Sequence, residues 1–128
     1  MADSKKIFIV EDDDTFSKVL ADALKTAMPS YDITIARDGE EALKVVPTLK
    51  PDLIILDLVL PKLGGIDFLT ELRKKDDFKV TAVLILSQLS DVGTLSDLMA
   101  LGIKGFIIKS DMNLEGIIGR VKSALGEA

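Results

Sequence analysis

The chain contains no cysteine and no histidine. Without cysteine there are no disulfides, no thiol nucleophile and no cysteine-bound metal, a pattern that fits a cytoplasmic protein. Without histidine, every triad, base or metal site that depends on imidazole is excluded. Positive charge is also in deficit: 16 Lys and Arg face 21 Asp and Glu, for a net charge of −5. Counterion displacement from a nucleic-acid backbone needs the opposite balance, so direct nucleic-acid binding is not expected. No apolar run approaches the roughly 20 residues of a membrane span. The start, Met1 to Lys6, is short and polar and is not a secretory signal. No membrane association is expected. Carboxylates, hydroxyls, lysines and arginines are left to carry any chemistry.

What is present is a large apolar fraction, 48% of 128 residues, enough for a single domain over residues 1–128 with a core from about 6 to 125. Leu53 to Leu56 is an uninterrupted apolar run of strand length. Continuous rather than alternating hydrophobicity means that both faces are covered, as in a central strand of a parallel sheet. Asp57 ends that run among apolar neighbours, where a carboxylate is costly to desolvate unless it is paired. Asp57 therefore reads as chemical, with capping of the next loop as the plain alternative.

Taken in order, Ile7 to Val10 is a second continuous run and ends in Glu11-Asp12-Asp13-Asp14. Phe16, Val19, Leu20, Ala23, Leu24 and Ala27 recur at helical spacing, and Pro29 ends the helix near Met28. Tyr31 to Ala36 reads as a strand. Asp38 and Glu41 resemble a capping box before a helix through Ala42, Leu43 and Val46. After the Leu58 to Gly65 loop, Ile66, Leu69 and Leu72 mark a helix and Val80 to Leu86 a strand. A helix opens at Asp91 and ends near Gly102, where glycine tolerates a left-handed cap. Phe106 to Ile108 is a fifth strand, and Leu114, Ile117, Ile118, Val121 and Leu125 form a last amphipathic helix. Five strand–helix alternations predict an α/β flavodoxin-like, doubly wound, five-stranded parallel sheet of order 2-1-3-4-5.

Ligands in such sheets bind beyond the carboxyl ends of the strands. The polar residues expected there are Glu11 and Asp12, Asp57, Ser87 and Lys109. Three carboxylates at one point call for a cation, since two unit charges 4 Å apart repel by about 4 kcal/mol at a surface-like dielectric. Few hard oxygen ligands in an open site favour Mg²⁺ over Ca²⁺. Each residue also has a plainer reading. The acidic run after the first strand can cap a helix, with Asp13 or Asp14 in that role. Ser87 can begin a turn, and Lys109 can be a snorkelling strand-end lysine.

Ile-Val-Glu-Asp (9–12), Leu-Asp-Leu-Val-Leu-Pro-Lys-Leu-Gly-Gly (56–65), Leu-Ser (86–87) and Gly-Phe-Ile-Ile-Lys (105–109) occur in an order and spacing that resembles the receiver domain of two-component response regulators. The single-domain chemotaxis type is the nearest in length. The resemblance runs from Lys6 to Leu125. It implies that Asp57 accepts a phosphoryl group from a phosphohistidine of a sensor histidine kinase or phosphotransfer protein. It implies that Glu11, Asp12, Asp57 and the Val59 backbone carbonyl hold Mg²⁺, and that Ser87 and Lys109 bind phosphoryl oxygens. Phe106 takes the place of the family's switch aromatic, its plainer reading being a core aromatic. Ser87 and Phe106 would then switch the face formed by the fourth helix, fifth strand and fifth helix toward a downstream protein target, or toward a phosphorylation-linked homodimer. The resemblance implies a protein that is not an enzyme beyond accepting a phosphoryl group and catalysing its own phosphorylation and dephosphorylation.

The chain departs from the family pattern in three ways. Ser110 follows the lysine where proline is usual, Gln88 replaces a small residue, and Gly116 and Gly119 interrupt the last helix. A phosphorylation-independent interaction module is the alternative these departures leave open. A flavodoxin-like cofactor binder is disfavoured because four acidic residues follow the first strand. A haloacid-dehalogenase-like phosphohydrolase is disfavoured because Val59, not a second aspartate, lies two residues beyond Asp57.

Overall fold

The computed structural model describes residues 4–88 and 92–127. Five strands, β1 (Lys5–Val10), β2 (Tyr31–Ala36), β3 (Leu53–Leu56), β4 (Ala82–Ser87) and β5 (Gly105–Ile108), form one parallel sheet of order β2-β1-β3-β4-β5. The helices α1 (Asp14–Ala27), α2 (Gly39–Leu49), α3 (Gly65–Lys74), α4 (Val92–Ala100) and α5 (Leu114–Ala124) connect them. This is the expected α/β architecture and strand order.

Alternation along the strands divides the core in two. Ile7, Ile9, Leu53, Ile55, Leu84, Leu86 and Ile107 face α1 and α5, where Leu20, Leu24, Ile117 and Val121 meet them. Phe8, Val10, Ile54, Leu56, Val83 and Ile85 face the other way, against Ala42, Val46, Phe68, Leu69, Leu72 and Leu98 of α2, α3 and α4. Every residue of β3 is buried, which is why its sequence shows no polar alternation. Each Leu or Ile so buried contributes about 1.5–3 kcal/mol relative to exposure.

Caps fix where the helices start. Asp13 Oδ1 accepts from the Phe16 amide at 3.1 Å, Asp38 Oδ1 from the Glu41 amide at 2.7 Å and Asn113 Oδ1 from the Gly116 amide at 2.8 Å. Gly116 is therefore seated at the α5 cap, where an added Cβ would lie 2.7 Å from Met112 Cγ, while Gly119 faces open space.

One boundary differs from expectation. The chain joins β4 at Ala82 rather than at Val80, which is 91% exposed and follows a 3-10 turn over Asp76–Phe78. Helix α2 runs to Leu49, past Pro47, because proline in the last turn forfeits only one backbone bond. The expected start of α4 at Asp91 lies outside the described residues.

At the amino end of the sheet, the Arg73 guanidinium donates to the carbonyls of Leu101 (2.8 Å), Phe78 (2.9 Å), Thr81 (2.8 Å) and Gly102 (3.0 Å). Among the described residues, no helix is long and apolar enough to cross a membrane.

Candidate functional site

The site grows out of the sheet ladder. The Glu11 amide donates to the Ala36 carbonyl and the Asp57 amide to the Val10 carbonyl, both at 3.0 Å. Pairing thus continues one residue beyond β1 and β3 and sets Glu11 and Asp57 side by side. Asp57 is also pressed from behind by α3. A Cβ on Gly65 would fall 2.3 Å from the Asp57 carbonyl oxygen and 2.7 Å from Leu58 Cα, so only glycine permits that approach. On the other side, Ser87 pairs in register with Ile108, which brings Ser87 and Lys109 to the same edge. Ser87 is fully buried.

Lys109 ties the edge together. Its ammonium hydrogen-bonds Glu11 Oε1 and lies 3.2 Å from Asp57 Oδ2. The three side chains are only 4–10% exposed. The other carboxylate oxygens are held by backbone: Glu11 Oε2 accepts from the Asp13 amide at 3.0 Å, and Asp57 Oδ1 from the Val59 amide at 3.3 Å. Two carboxylates share one ammonium, so the cluster carries excess negative charge. Burial pushes the Glu11 carboxyl up; the hydrogen bonds from Lys109 and the Asp13 amide oppose this, and the Asp57 charge adds to the rise. Burial alone would lower the Lys109 ammonium, but the bond to Glu11 and the charges of Asp57 and Glu11 raise it overall.

The expected residues do not all converge. Glu11, Asp57 and Lys109 meet, with Ser87 at the same edge. Asp12 is exposed, because one residue further along the chain turns the side chain away from the buried side where Glu11 lies. Among the described residues, no group of three or more acidic side chains is close enough to hold a metal ion. The donor chemistry nonetheless suits a hard divalent cation, with two charged oxygens facing one ammonium and a third carboxylate next to them in the chain. Val59 is 59% exposed at the rim. Phe106 is half-buried against the cluster that contains Leu98 and Ile103. Gln88 is exposed, and the peptide bond joining Lys109 to Ser110 is trans. Leu89, expected from its place two residues beyond Ser87 to border the approach to Asp57, lies outside the described residues.

One neighbour is absent from any motif. The Phe16 ring centroid lies 4.6 Å from Lys109 Nζ. In the sequence, Phe16 is only the first apolar residue of an amphipathic helix.

Comparison with known proteins agrees with this architecture. The response regulator receiver domain family matches residues 7–122. A probable transcriptional regulator, ycf27, of Porphyridium aerugineum is 35% identical over 123 residues, covering 94% of this chain and 48% of the relative. The chain thus spans about half the length of the curated relatives it matches. The phosphorylated cyanobacterial phytochrome response regulator RcpA superposes with a TM-score of 0.81 at 30% identity, covering 94% of this chain and 91% of that one. The chain similar to it in a CheX-CheY-BeF3-Mg²⁺ complex from Borrelia burgdorferi gives a TM-score of 0.82 at 28% identity, covering 93% and 87%. With its five parallel strands in the order 2-1-3-4-5 and its match over residues 7–122, the chain belongs to the response regulator receiver domain family of two-component systems.

Proposed function

We propose that Asp57 is the phosphoacceptor of this receiver and that a divalent cation, Mg²⁺ by its preference for few hard oxygens in an open site, assists the transfer. The observation that carries the reading is the buried Lys109 ammonium shared between Glu11 and Asp57 at the carboxyl edge of the sheet. An Asp57 carboxylate oxygen attacks phosphorus of a phosphohistidine on a sensor kinase or phosphotransfer protein. The O–P bond forms, the P–N bond breaks, and the imidazole leaves with the bonding pair and takes up a proton. Such a transfer needs positioning and charge neutralisation more than covalent machinery.

The backbone bond from Val59 to Asp57 Oδ1 orients the nucleophile, and Lys109 balances charge on the transferred group. The residues that would hold the metal are Glu11, Asp12, Asp57 and the Val59 carbonyl; the ion would supply Lewis-acid neutralisation of the phosphoryl oxygens. The phosphorylated and BeF3-Mg²⁺ relatives support this reading by analogy.

Ser87, buried at the end of β4, would bind a phosphoryl oxygen through its hydroxyl. Its movement toward that oxygen opens space beside Phe106 and alters the α4–β5–α5 face. Leu95 (37% exposed) and Met99 (65% exposed) on that face offer apolar contacts to a downstream protein or a second receiver. Intact-mass measurement with acetyl phosphate and Mg²⁺ tests the assignment. One phosphoryl group on the wild type and none on Asp57→Asn is expected; equal labelling of both refutes it.

A further inference from the structure

We infer that Phe16 is a positioning residue for Lys109, a role that rests on the phosphoacceptor reading of Asp57. The ring centroid stands 4.6 Å from Nζ, well within the range of a cation–π contact. Phe16 is half-buried and lines a crevice with Glu11, Asp57, Ile9, Leu20 and Leu86 that has no room for a water molecule. Its place there is set by the acidic run. Asp13 caps α1 by accepting from the Phe16 amide, which fixes the helical register and brings the third residue of α1 to the ammonium.

The need for such a contact follows from the chemistry. The lysine is followed by Ser110 in a trans bond, so no proline ring constrains the backbone beside it. The two carboxylates that hold the ammonium are also the groups whose bonding changes in the proposed reaction. Asp57 becomes an acyl phosphate, and Glu11 acquires a competing cation. The Phe16 ring is unaltered by either event. A π face attracts the ammonium without accepting a conventional hydrogen bond, so it holds the charge in place without competing with phosphoryl oxygens for its N–H donors. A carboxylate at residue 16 would compete, and an aliphatic side chain would exclude water without attracting the charge.

Three variants test this: Phe16→Leu keeps apolar packing without a π face, and Phe16→Tyr and Phe16→Trp restore one. The first readout is the ¹H NMR shift of the Lys109 Hε methylene, which a ring face moves upfield and which packing stability alone does not. Wild type, Phe16→Tyr and Phe16→Trp should show the upfield shift and Phe16→Leu should lose it. The second is the initial rate of Asp57 labelling by acetyl phosphate with Mg²⁺, at a temperature where all variants are folded. Phe16→Leu should be slower by roughly three- to tenfold and the aromatic variants near wild type, in line with a partly desolvated cation–π contact. An Hε shift unchanged in Phe16→Leu overturns the contact. A labelled wild type with Phe16→Leu reacting equally fast overturns the positioning role and leaves Asp57 as acceptor. A wild type that takes no label overturns the acceptor reading, and the positioning role with it.

Discussion

Replacing Lys109 with methionine removes the charge while keeping most of the side-chain volume, and it leaves Glu11 and Asp57 facing each other. Both carboxylates are at most 10% exposed, so water replaces little of what is lost. Breaking a buried ion pair by deleting one partner costs about 3–5 kcal/mol. The pH dependence has a definite sign. Glu11 already has a raised pKa, and without its bond to Lys109 it rises further. A group raised on folding stabilises the native state below its unfolded value and loses that contribution as pH climbs through the folded one. At acid pH the variant protonates Glu11 and relieves the repulsion; near neutrality it cannot do so without cost. Urea unfolding near pH 8 should show a loss of about 3 kcal/mol, shrinking as the pH is lowered toward 5. Loss of the raised Lys109 itself removes stability that the wild type keeps until strongly alkaline pH. A deficit below about 1 kcal/mol near pH 8, the level of an exposed pair, would refute the buried-triad argument. So would an equal deficit at both pH values.

Mg²⁺ should raise the melting temperature of the wild type by binding the native carboxylates, and Asp12→Ala should remove most of that increment; an unchanged increment in a thermal scan would show that Asp12 is not a ligand. Gly65→Ala should destabilise by about 1–3 kcal/mol through overpacking against the Asp57 backbone, read as a lower urea midpoint and accompanied by slower Asp57 labelling. The chain has one tyrosine and no tryptophan, so ultraviolet absorbance titrates Tyr31 alone. Burial and the 2.6 Å bond from its hydroxyl to Glu127 Oε1 raise its pKa from 10.0 to about 12. The stability it contributes is therefore complete below pH 10 and lost as pH rises through about 12, and Glu127→Gln should bring the midpoint down.

Sheet order and the two buried layers were legible because apolar continuity in Ile7–Val10 and Leu53–Leu56 directly records burial on both faces. The entry to β4 was not. Val80 has strand propensity, but Arg73 takes the carbonyls of Phe78 and Thr81, holding that segment in a turn until Ala82. Propensity yields to tertiary bonding there. At the site, Asp57 stood out because a carboxylate ending an apolar strand demands a partner. Its pairing with Lys109, 52 residues away, was foreseen only as a shared edge. That Glu11 points inward while Asp12 points to solvent depends on the strand's phase where it leaves the sheet, which a run of acidic residues hides. Phe16 carried no signal at all, since a ring on the buried side of a helix looks the same whether it meets a leucine or an ammonium.

Arg73 gives α4 a mechanical character. Two of its four bonds go to Leu101 and Gly102, just past the carboxyl end of α4, and the other two anchor the same guanidinium to the approach to β4. The opposite end of α4, at Val92, follows Ser87 in the chain, the hydroxyl proposed to bind the phosphoryl group. A helix fastened at its far end and driven at its near end swings rather than slides. Arg73 would then be the fulcrum of that swing. Under the proposed switch, a small displacement at Ser87 would become an angular sweep, largest along the first turns of α4 and vanishing at Leu101. Lysine in place of Arg73 would keep the charge but lose the planar fork that grips several carbonyls at once. The lever would be left without its pivot.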